Sequence, residues 1–181
     1  MKSLFLSAAA LALSAGFAFA ENPMVGGGEM LDTKTIVENA MNSADHTTLV
    51  DAVKAAGLAE TLSGAGPFTV LAPTNEAFAK LPAGTVDSLM KPENKEELAK
   101  ILGCHVVAAN AMSSDIMGMI EADGGMHKFT TVGGCEFTMS TKDGMVMIED
   151  GMGNMGTVTI ADVKQSNGVI HVIDTVLMPA M

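Results

Sequence analysis

The fold is decided by the stretch Pro67-Phe-Thr-Val-Leu-Ala-Pro-Thr-Asn-Glu-Ala-Phe78, which predicts a buried strand that ends at a proline and restarts as a helix. Pro73 ends the strand because it has no N–H to donate to a neighbouring strand. Thr74 then caps the helix through its hydroxyl, and Glu76 lies in the first turn, where the helix dipole favours an anion. The strand side chains alternate between two faces: Phe68, Val70 and Ala72 on one, Thr69 and Leu71 on the other.

A second apolar stretch, Asn167-Gly-Val-Ile-His-Val-Ile-Asp-Thr-Val-Leu-Met-Pro179, predicts a hairpin turn at Asn167-Gly168 followed by a strand. This strand is apolar on both faces, so we expect it at the centre of a sheet, covered on both sides. One face carries Val169, Ile173 and Leu177, and the other carries Ile170, Val172 and Val176.

The histidine of this strand, His171, is therefore expected to lie against the core. A buried polar group without a hydrogen bond costs about 1–3 kcal/mol, so the imidazole needs a partner. Thr74 or Asn75, at the corner between strand and helix, is the expected partner. The functional alternative is that His171 serves as a catalytic base or as a metal ligand.

The two stretches closely resemble the first and second signature boxes of the fasciclin (FAS1) domain. Between them, Cys104-His-Val-Val107 resembles the Tyr-His segment of that family, with cysteine in place of tyrosine. The resemblance covers residues 33–179 and implies an α+β fold, a compact wedge of β-sheets flanked by several short helices. The structural signature residues are Thr74, Asn75, Phe78, Asn167, Gly168 and His171.

The periodicity of the chain independently predicts an α+β domain, because helical spacing gives way to alternation near residue 126. Helices are predicted from a cap at Asp32 or Thr33 through Met41, over Leu49–Ala56 with a stop at Gly57, at Thr85–Met90, at Glu93–Leu102, and over Asp115–Glu121 after a cap at Ser114. Strands separated by glycine turns are predicted at Met126–Val132, Cys135–Thr141, Met145–Glu149 and Thr157–Ala161.

Residues 1–20 are predicted to be a cleavable secretory signal. Lys2 supplies the positive start, an apolar run follows, and Ala18-Phe-Ala20 is a small-x-small cleavage site. A membrane anchor is the alternative, but serine and glycine interrupt the run and it is short for a span of about 20 residues. The residue directly after the cleavage site is Glu21 and not cysteine, so we expect a secreted protein, periplasmic or at the cell surface, rather than a lipoprotein.

The mature chain is predicted to hold one domain, 33–179, after a flexible glycine-rich lead-in, 21–32. The formal charge of the full chain is −11, and all ten basic residues are lysine. An acidic protein without guanidinium groups is poorly suited to bind nucleic acid or anionic lipid. We therefore expect neither as a partner, and no segment after the signal is apolar enough to span a membrane.

Cys104 and Cys135 are the only cysteines, and the predicted signal places them in an oxidising compartment. Cys104 begins one predicted strand and Cys135 begins another after the Gly133-Gly134 turn, so neighbouring strands would bring the two within bonding distance. We expect a disulfide, which in the chain-entropy account stabilises the fold by roughly 3–4 kcal/mol. Two free buried thiols are the alternative.

No motif points to an enzyme. Ser88-Leu-Met-Lys91 matches the Ser-x-x-Lys pattern of penicillin-binding enzymes, but the companion motifs are absent. A zinc site built from Cys104, His105, His127 and Cys135 is not expected, because adjacent residues of a strand point to opposite faces. The acidic turns at Asp143 and at Glu149-Asp150 lack the ligand spacing of a calcium loop and are predicted to be solvated hairpin tips. We expect no cofactor.

Sixteen methionines are many for this length. Several of them cluster: Met117 with Met119, Met145 with Met147, and Met152 with Met155. Thioethers are soft ligands that suit Cu(I), which gives copper binding as one interpretation. The other is that methionine fills the core in place of leucine and phenylalanine, with Met145 and Met147 on the core face of one strand.

The resemblance implies a role in adhesion to cells, matrix proteins or surface polysaccharide. An Asp-Ile pair that contributes to integrin binding in animal members aligns with Asp162-Val163, and the Tyr-His segment aligns its histidine with His105. Both positions depart from the animal pattern, so we do not expect integrin binding. We therefore expect an unidentified protein or polysaccharide partner at the cell surface or matrix. In the structural interpretation of the two positions, Val163 is a strand end and His105 is a buried imidazole.

Some members of the family carry apolar pigments, which gives a different hypothesis, an extracytoplasmic carrier of a carotenoid-like ligand. The methionine-lined surface expected to hold such a ligand consists of Met112, Ile116, Met117 and Ile120.

Overall fold

The computed structural model describes residues 22–180 and confirms the α+β class. Seven strands form one sheet in the order β4-β3-β9-β8-β7-β6-β5, and a separate two-stranded hairpin precedes them. The strands are β1 Met24–Val25, β2 Gly28–Glu29, β3 Phe68–Pro73, β4 Val106–Val107, β5 Met126–Thr130, β6 Glu136–Lys142, β7 Met145–Glu149, β8 Met155–Gln165 and β9 Gly168–Ile173.

The helices are short and most of them lie in the first half of the chain. They are α1 Ile36–Ala40, α2 Thr47–Ala56, α3 Ala59–Leu62, α4 Asn75–Ala79, α5 Thr85–Leu89, α6 Lys95–Gly103 and α7 Ser113–Ala122, with 3-10 turns at Ala44–His46 and Pro92–Asn94. Gly57 ends α2 with a φ of 74°, as its predicted stop requires. No helix in the described part of the chain is long and apolar enough to cross a membrane.

The corner predicted from the opening stretch is present. β3 ends at Pro73, and the Thr74 hydroxyl accepts a hydrogen bond from the Ala77 N–H at 3.2 Å to cap α4. β3 pairs in parallel with β9 and antiparallel with β4. Because β3 and β9 are covered on both faces, they lie between two separate cores.

The first core lies between the helices and one face of β3 and β9. Its sheet residues include Val70, Ala72, Ile170 and Val172, and α1, α2, α3 and α6 pack against them. The second core lies on the opposite face, where Leu71 and Ile173 meet α7 and the inner face of β6 and β7. The alternation of β3 and β9 predicted from sequence thus divides the apolar side chains between two cores.

Four strands, β5 to β8, form an antiparallel meander in which one face is buried and the other exposed. In β7 the core side chains are Val146 and Ile148, whereas Met145 is exposed and Met147 is half-buried on the outer face. The prediction that Met145 and Met147 face the core is therefore wrong. The side chains of this strand do alternate, but the two faces are exchanged relative to the prediction, because the branched residues take the core positions.

The segment predicted to be a flexible lead-in forms the hairpin β1–β2 instead. Val25 and Met30 are buried in the first core at 3% and 2% exposure, and the Ala44 N–H donates to the Gly26 carbonyl at 3.1 Å. The glycines allow this close packing, since a side chain at Gly28 would collide with the Asn42 carbonyl. The predicted signal, 1–20, lies outside the described residues.

Two predicted helix starts are displaced. Thr35, rather than Asp32 or Thr33, caps α1 in a capping box with Glu38, and Met41 is 54% exposed rather than part of the apolar face. α7 begins at Ser113 with Met112 at the N-cap position, so Ser114 is not the cap. In both helices an acidic residue three positions after the cap bonds to the cap N–H, at Thr35 and Met112, which fixes the start.

The two ends of the sheet meet and are closed by Cys104 and Cys135, which form a disulfide with Cα atoms 5.3 Å apart. Cys104 ends α6 and Cys135 immediately precedes β6, so the two are not on neighbouring strands as expected. Beside the disulfide, the Val132 N–H donates to the Val106 carbonyl at 2.8 Å and the Gly133 N–H donates to the Gly103 carbonyl at 2.9 Å. The curved sheet is therefore almost a closed ring.

Candidate functional site

The aspartate carried over from the resemblance, Asp162, sits at an irregular point of β8. The register of β8 against β9 shifts between Ile160 and Val163, and Asp162 has a φ of 60°, in the left-handed region that non-glycine residues rarely adopt. Its carboxylate accepts hydrogen bonds from the N–H of Ser113, at 2.6 Å, and from the hydroxyl of Ser113. The bulge thus holds the start of α7.

His171 forms hydrogen bonds to the same region from the buried side. Its Nδ1 accepts a hydrogen bond from the Asp162 N–H at 3.2 Å, and its Nε2 donates to the Ala111 carbonyl at 2.8 Å. Burial lowers the pKa of this imidazole, which is 1% exposed, so the neutral form is favoured. The predicted partners, Thr74 and Asn75, were wrong: Asn75 instead ties α4 to α2, accepting from the Thr48 N–H at 3.0 Å.

Thr69 is a third polar side chain, after Asp162 and His171, that forms hydrogen bonds to the segment before α7. Its hydroxyl donates to the Ala109 carbonyl at 2.6 Å and accepts from the Ala111 N–H at 2.9 Å, so one buried side chain of β3 fixes both ends of a short turn. The turn residues Ala108, Ala109 and Asn110 are exposed. We call residues 108–112 together with the bulge residues Ala161 and Asp162 the ledge.

His105, the other carried-over residue, lies deeper and is 2% exposed. Its Nδ1 donates to the Ile101 carbonyl at 2.8 Å, and its Nε2 accepts from the Leu177 N–H at 2.9 Å. Burial lowers the pKa of His105 to about 4. It is a neutral imidazole that joins α6 to the final segment of the chain, and its side chain is not available at the surface.

Asp150 was predicted to be a solvated hairpin tip, but it is buried, at 5% exposure. Its carboxylate accepts from the N–H groups of Met152, Asn154 and Met178 at 2.8–2.9 Å. It therefore shapes the turn between β7 and β8 and anchors the end of the chain. Sequence reasoning missed this role because an acidic residue beside glycine is typical of exposed turns.

A third buried histidine, His46, was not singled out from the sequence. Its Nδ1 bonds to the Ser43 hydroxyl at 2.8 Å, while its Nε2 is buried and has no hydrogen-bond partner among residues 22–180. Burial lowers the pKa of this imidazole as well. It lies in the first core below the hairpin β1–β2, beside Val25 and Met30.

The arrangement offers little for acid–base or metal chemistry. His105 and His171 both bond to main-chain groups through both ring nitrogens, so neither is free to exchange a proton with a substrate. The two cysteines of the rejected zinc set are joined to each other. Within residues 22–180 there is no cluster of three or more His, Cys, Asp or Glu side chains placed to hold a metal ion.

The surface predicted for a pigment is also mostly interior. Ile116 and Ile120 are 3% and 0% exposed and pack in the second core, with Met117 partly buried against the same cluster. Met112 precedes α7 and is half-buried. These side chains fill the core, so they give no support to the carrier hypothesis.

The sequence matches the fasciclin domain over residues 44–179. The chain belongs to the fasciclin domain family. Protein sll1483 of Synechocystis is 49% identical over 147 residues, which cover 81% of this chain and 74% of that protein. The porcine transforming growth factor-beta-induced protein ig-h3 is 36% identical over 145 residues, but these cover only 19% of its length.

The fold of this fasciclin domain matches a solved structure of the family. A FAS1 domain pair from the insect cell adhesion molecule Fasciclin I superposes with a TM-score of 0.70 and covers 80% of this chain and 51% of that one, at 18% identity. At that identity the match shows the fold alone. The resemblance deduced from the two signature stretches is thus confirmed, together with its α+β fold.

The carried-over positions of this fasciclin domain divide by accessibility. Val163 is fully buried in the first core, but it lies within β8 and not at a strand end as expected. His105 is buried, in agreement with its structural interpretation. Asp162 is half-buried but belongs to the exposed ledge. The signature residues Asn167 and Thr74 are structural: the Asn167 side chain accepts from the Ile36 N–H at 3.0 Å and donates to the Leu62 carbonyl at 2.7 Å.

Proposed function

We propose that this fasciclin domain is secreted, has no enzymatic activity, and mediates adhesion or surface contact through the ledge. The relative Fasciclin I is described as an insect cell adhesion molecule, which supports this class of function. The partner would be a protein or a polysaccharide at the cell surface or in the matrix. Since this chain has a formal charge of −11, a neutral or basic partner is favoured over an acidic one.

The observation that carries the proposal is the use of the polar side chains beneath the ledge. Thr69, His171 and Asp162 could resemble a catalytic set, but their side chains bond to main-chain groups of residues 109–113 and of Asp162, and to the Ser113 hydroxyl. Together they fix an exposed backbone segment in one conformation. A surface ordered in advance loses less conformational entropy on binding, which favours a contact role.

The composition of the ledge fits such a contact. Ala108 and Ala109 have side chains of one carbon, so a partner can approach the backbone closely, and Asn110 adds an exposed amide that can both donate and accept. The ordered polar groups below prevent the turn from collapsing inward. A bulky charged side chain at Ala109 should therefore block contact without disturbing the core.

The test measures how well cells of the organism that makes the protein attach to surfaces coated with the purified protein. We expect Ala109→Arg to abolish most attachment, whereas Ala83→Arg, at an exposed alanine in the turn before α5, should attach as the native protein does. A host strain lacking the gene, complemented with each variant, gives the same comparison in biofilm formation. Equal attachment by the two variants would contradict the ledge as the contact surface, and unchanged attachment after gene deletion would contradict adhesion itself.

A further inference from the structure

The outer face of the meander has an unusual composition. Across β5, β6, β7 and residues 155–159 of β8, every apolar residue on the exposed face is a methionine, and the others are Thr, Ser, Lys or Glu. The inner face of the same strands uses branched and aromatic residues, which are the favoured strand formers. The outward methionines are Met126, Met145, Met147 and Met155.

Strand register brings two of these methionines together. Met147 pairs with Thr157, and Glu149 pairs with Met155, so Met147 and Met155 are diagonal neighbours on one face. Such neighbours have Cα atoms about 7–8 Å apart, within reach of long side chains. The Thr157 hydroxyl donates to the sulfur of Met147 at 3.4 Å, which places that sulfur over the neighbouring strand β8, two residues from Met155 along that strand.

Charge distinguishes this pair from the rest of the face. Glu149 is exposed, lies two residues from Met147 and directly opposite Met155. Met145, by contrast, pairs directly with Lys142, whose ammonium repels a cation. The carboxylate therefore favours a bound cation at Met147 and Met155 over one at Met145.

We propose that the thioethers of Met147 and Met155, with the carboxylate of Glu149 beside them, bind Cu(I). Thioether sulfur is a soft, neutral ligand that selects Cu(I), whereas magnesium and calcium require oxygen ligands and zinc takes thiolate, imidazole or carboxylate. One carboxylate balances one monovalent charge. Met155 is 48% exposed, so the ion has direct access from solvent.

Two properties of the site follow from its ligands. Thioethers carry no proton in the neutral range, so affinity should vary little between pH 6 and 8, unlike that of a histidine or cysteine site. The methionine side chain has three rotatable bonds, so both sulfurs can turn toward one ion without moving the strands. The site is independent of the ledge and of the proposed adhesive role.

Ag(I), a soft monovalent ion that does not change oxidation state in air, is the first probe. With methionine methyl groups labelled for NMR, we expect one equivalent of Ag(I) to shift the methyl signals of Met147 and Met155, and Zn(II) to shift neither. Anaerobic competition with a chromophoric Cu(I) chelator then gives the Cu(I) affinity. Absence of an Ag(I) shift at both methyls would overturn the proposal.

Substitutions separate a built site from any exposed methionine. The double variant Met147→Leu, Met155→Leu should weaken Cu(I) binding by about tenfold or more, since even outer-shell partners of metal ligands change affinity by that factor. Met24→Leu with Met41→Leu removes two methionines that are 60% and 54% exposed elsewhere, and should leave affinity unchanged. Equal weakening in both pairs, or in neither, would refute the site, with thermal melts confirming that each variant is folded.

Discussion

The central strands β3 and β9 and the meander β5 to β8 belong to one sheet but are built on different principles. The central pair lies between two cores and is apolar on both faces, while the meander buries one face and exposes the other. Beside the central pair, His105 and His171 are buried and bonded to main-chain groups. In the meander, His127 is only half-buried and bonds to the exposed Asp123. The same residue type is thus a structural element in one region and a surface group in the other.

The strongest test of this difference between the two regions is to remove one histidine from each and to compare the loss of stability. His105→Ala should lower the free energy of unfolding by about 3–5 kcal/mol, because it leaves a cavity and two unpaired main-chain groups at Ile101 and Leu177. His127→Ala should cost at most about 1 kcal/mol, the usual upper value for a contact between exposed polar side chains. Urea unfolding of both variants measures the difference, and similar costs would contradict the distinction.

The pH dependence of stability tests the same distinction without removing atoms. Folded His105 has a pKa of about 4, below the ordinary value of 6.5, so the unfolded chain binds a proton first as the pH falls. Stability from this group is full above pH 6.5 and is lost progressively down to pH 4, by about 2 kcal/mol between pH 7 and pH 5. His46 and His171, whose pKa values are also lowered by burial, add losses of the same sign.

Urea titrations at pH 7 and pH 5 measure this loss. In the variant His105→Gln, which cannot titrate at this position, the difference between the two pH values should shrink by about 2 kcal/mol. A native protein equally stable at both pH values would show that the buried imidazoles are not held neutral.

The smallest expected effect sharpens the comparison within a single strand. Met145→Thr, on the outer face of β7, should change stability by no more than about 0.5 kcal/mol, as surface substitutions usually do. Val146→Thr, on the next residue and the inner face, should cost about 1–3 kcal/mol because it buries a hydroxyl. Thermal unfolding of the pair measures both, and the reverse order would mean that the faces of β7 are exchanged.

Sequence reasoning predicted the parts of this fold in which a local pattern has one physical solution. Pro73 can end a strand and Thr74 can cap a helix without knowledge of the rest of the molecule, and an uninterrupted apolar strand such as β9 must be covered on both faces. Which side chains of β7 face the core could not be predicted in this way, because Met145 and Val146 are both apolar and alternation alone does not say which of them points inward. Branching at Val146 and Ile148 was the signal that could have decided it.

The polar contacts of the candidate site were beyond prediction for a geometric reason. The partners of His171 lie on the Asp162 bulge and at Ala111, 60 residues away in the chain, and neither position carries a pattern that points to a histidine. Asp150 was misjudged similarly, because the strands that bury it are assembled only in three dimensions. Register, bulges and sheet closure set these contacts, and the sequence leaves all three open.

The disulfide between Cys104 and Cys135 has a mechanical consequence. It encloses β4, α7 and β5 in a covalent loop with a sequence separation of 31 residues. When tension is applied between the two ends of the chain, that loop cannot be drawn out, so complete extension releases about 100 Å less chain than in the reduced protein, at about 3.4 Å per residue. If the domain is attached at one end and pulled at the other, its unfolded chain therefore extends less than that of the reduced protein, even after the strands of the sheet have separated.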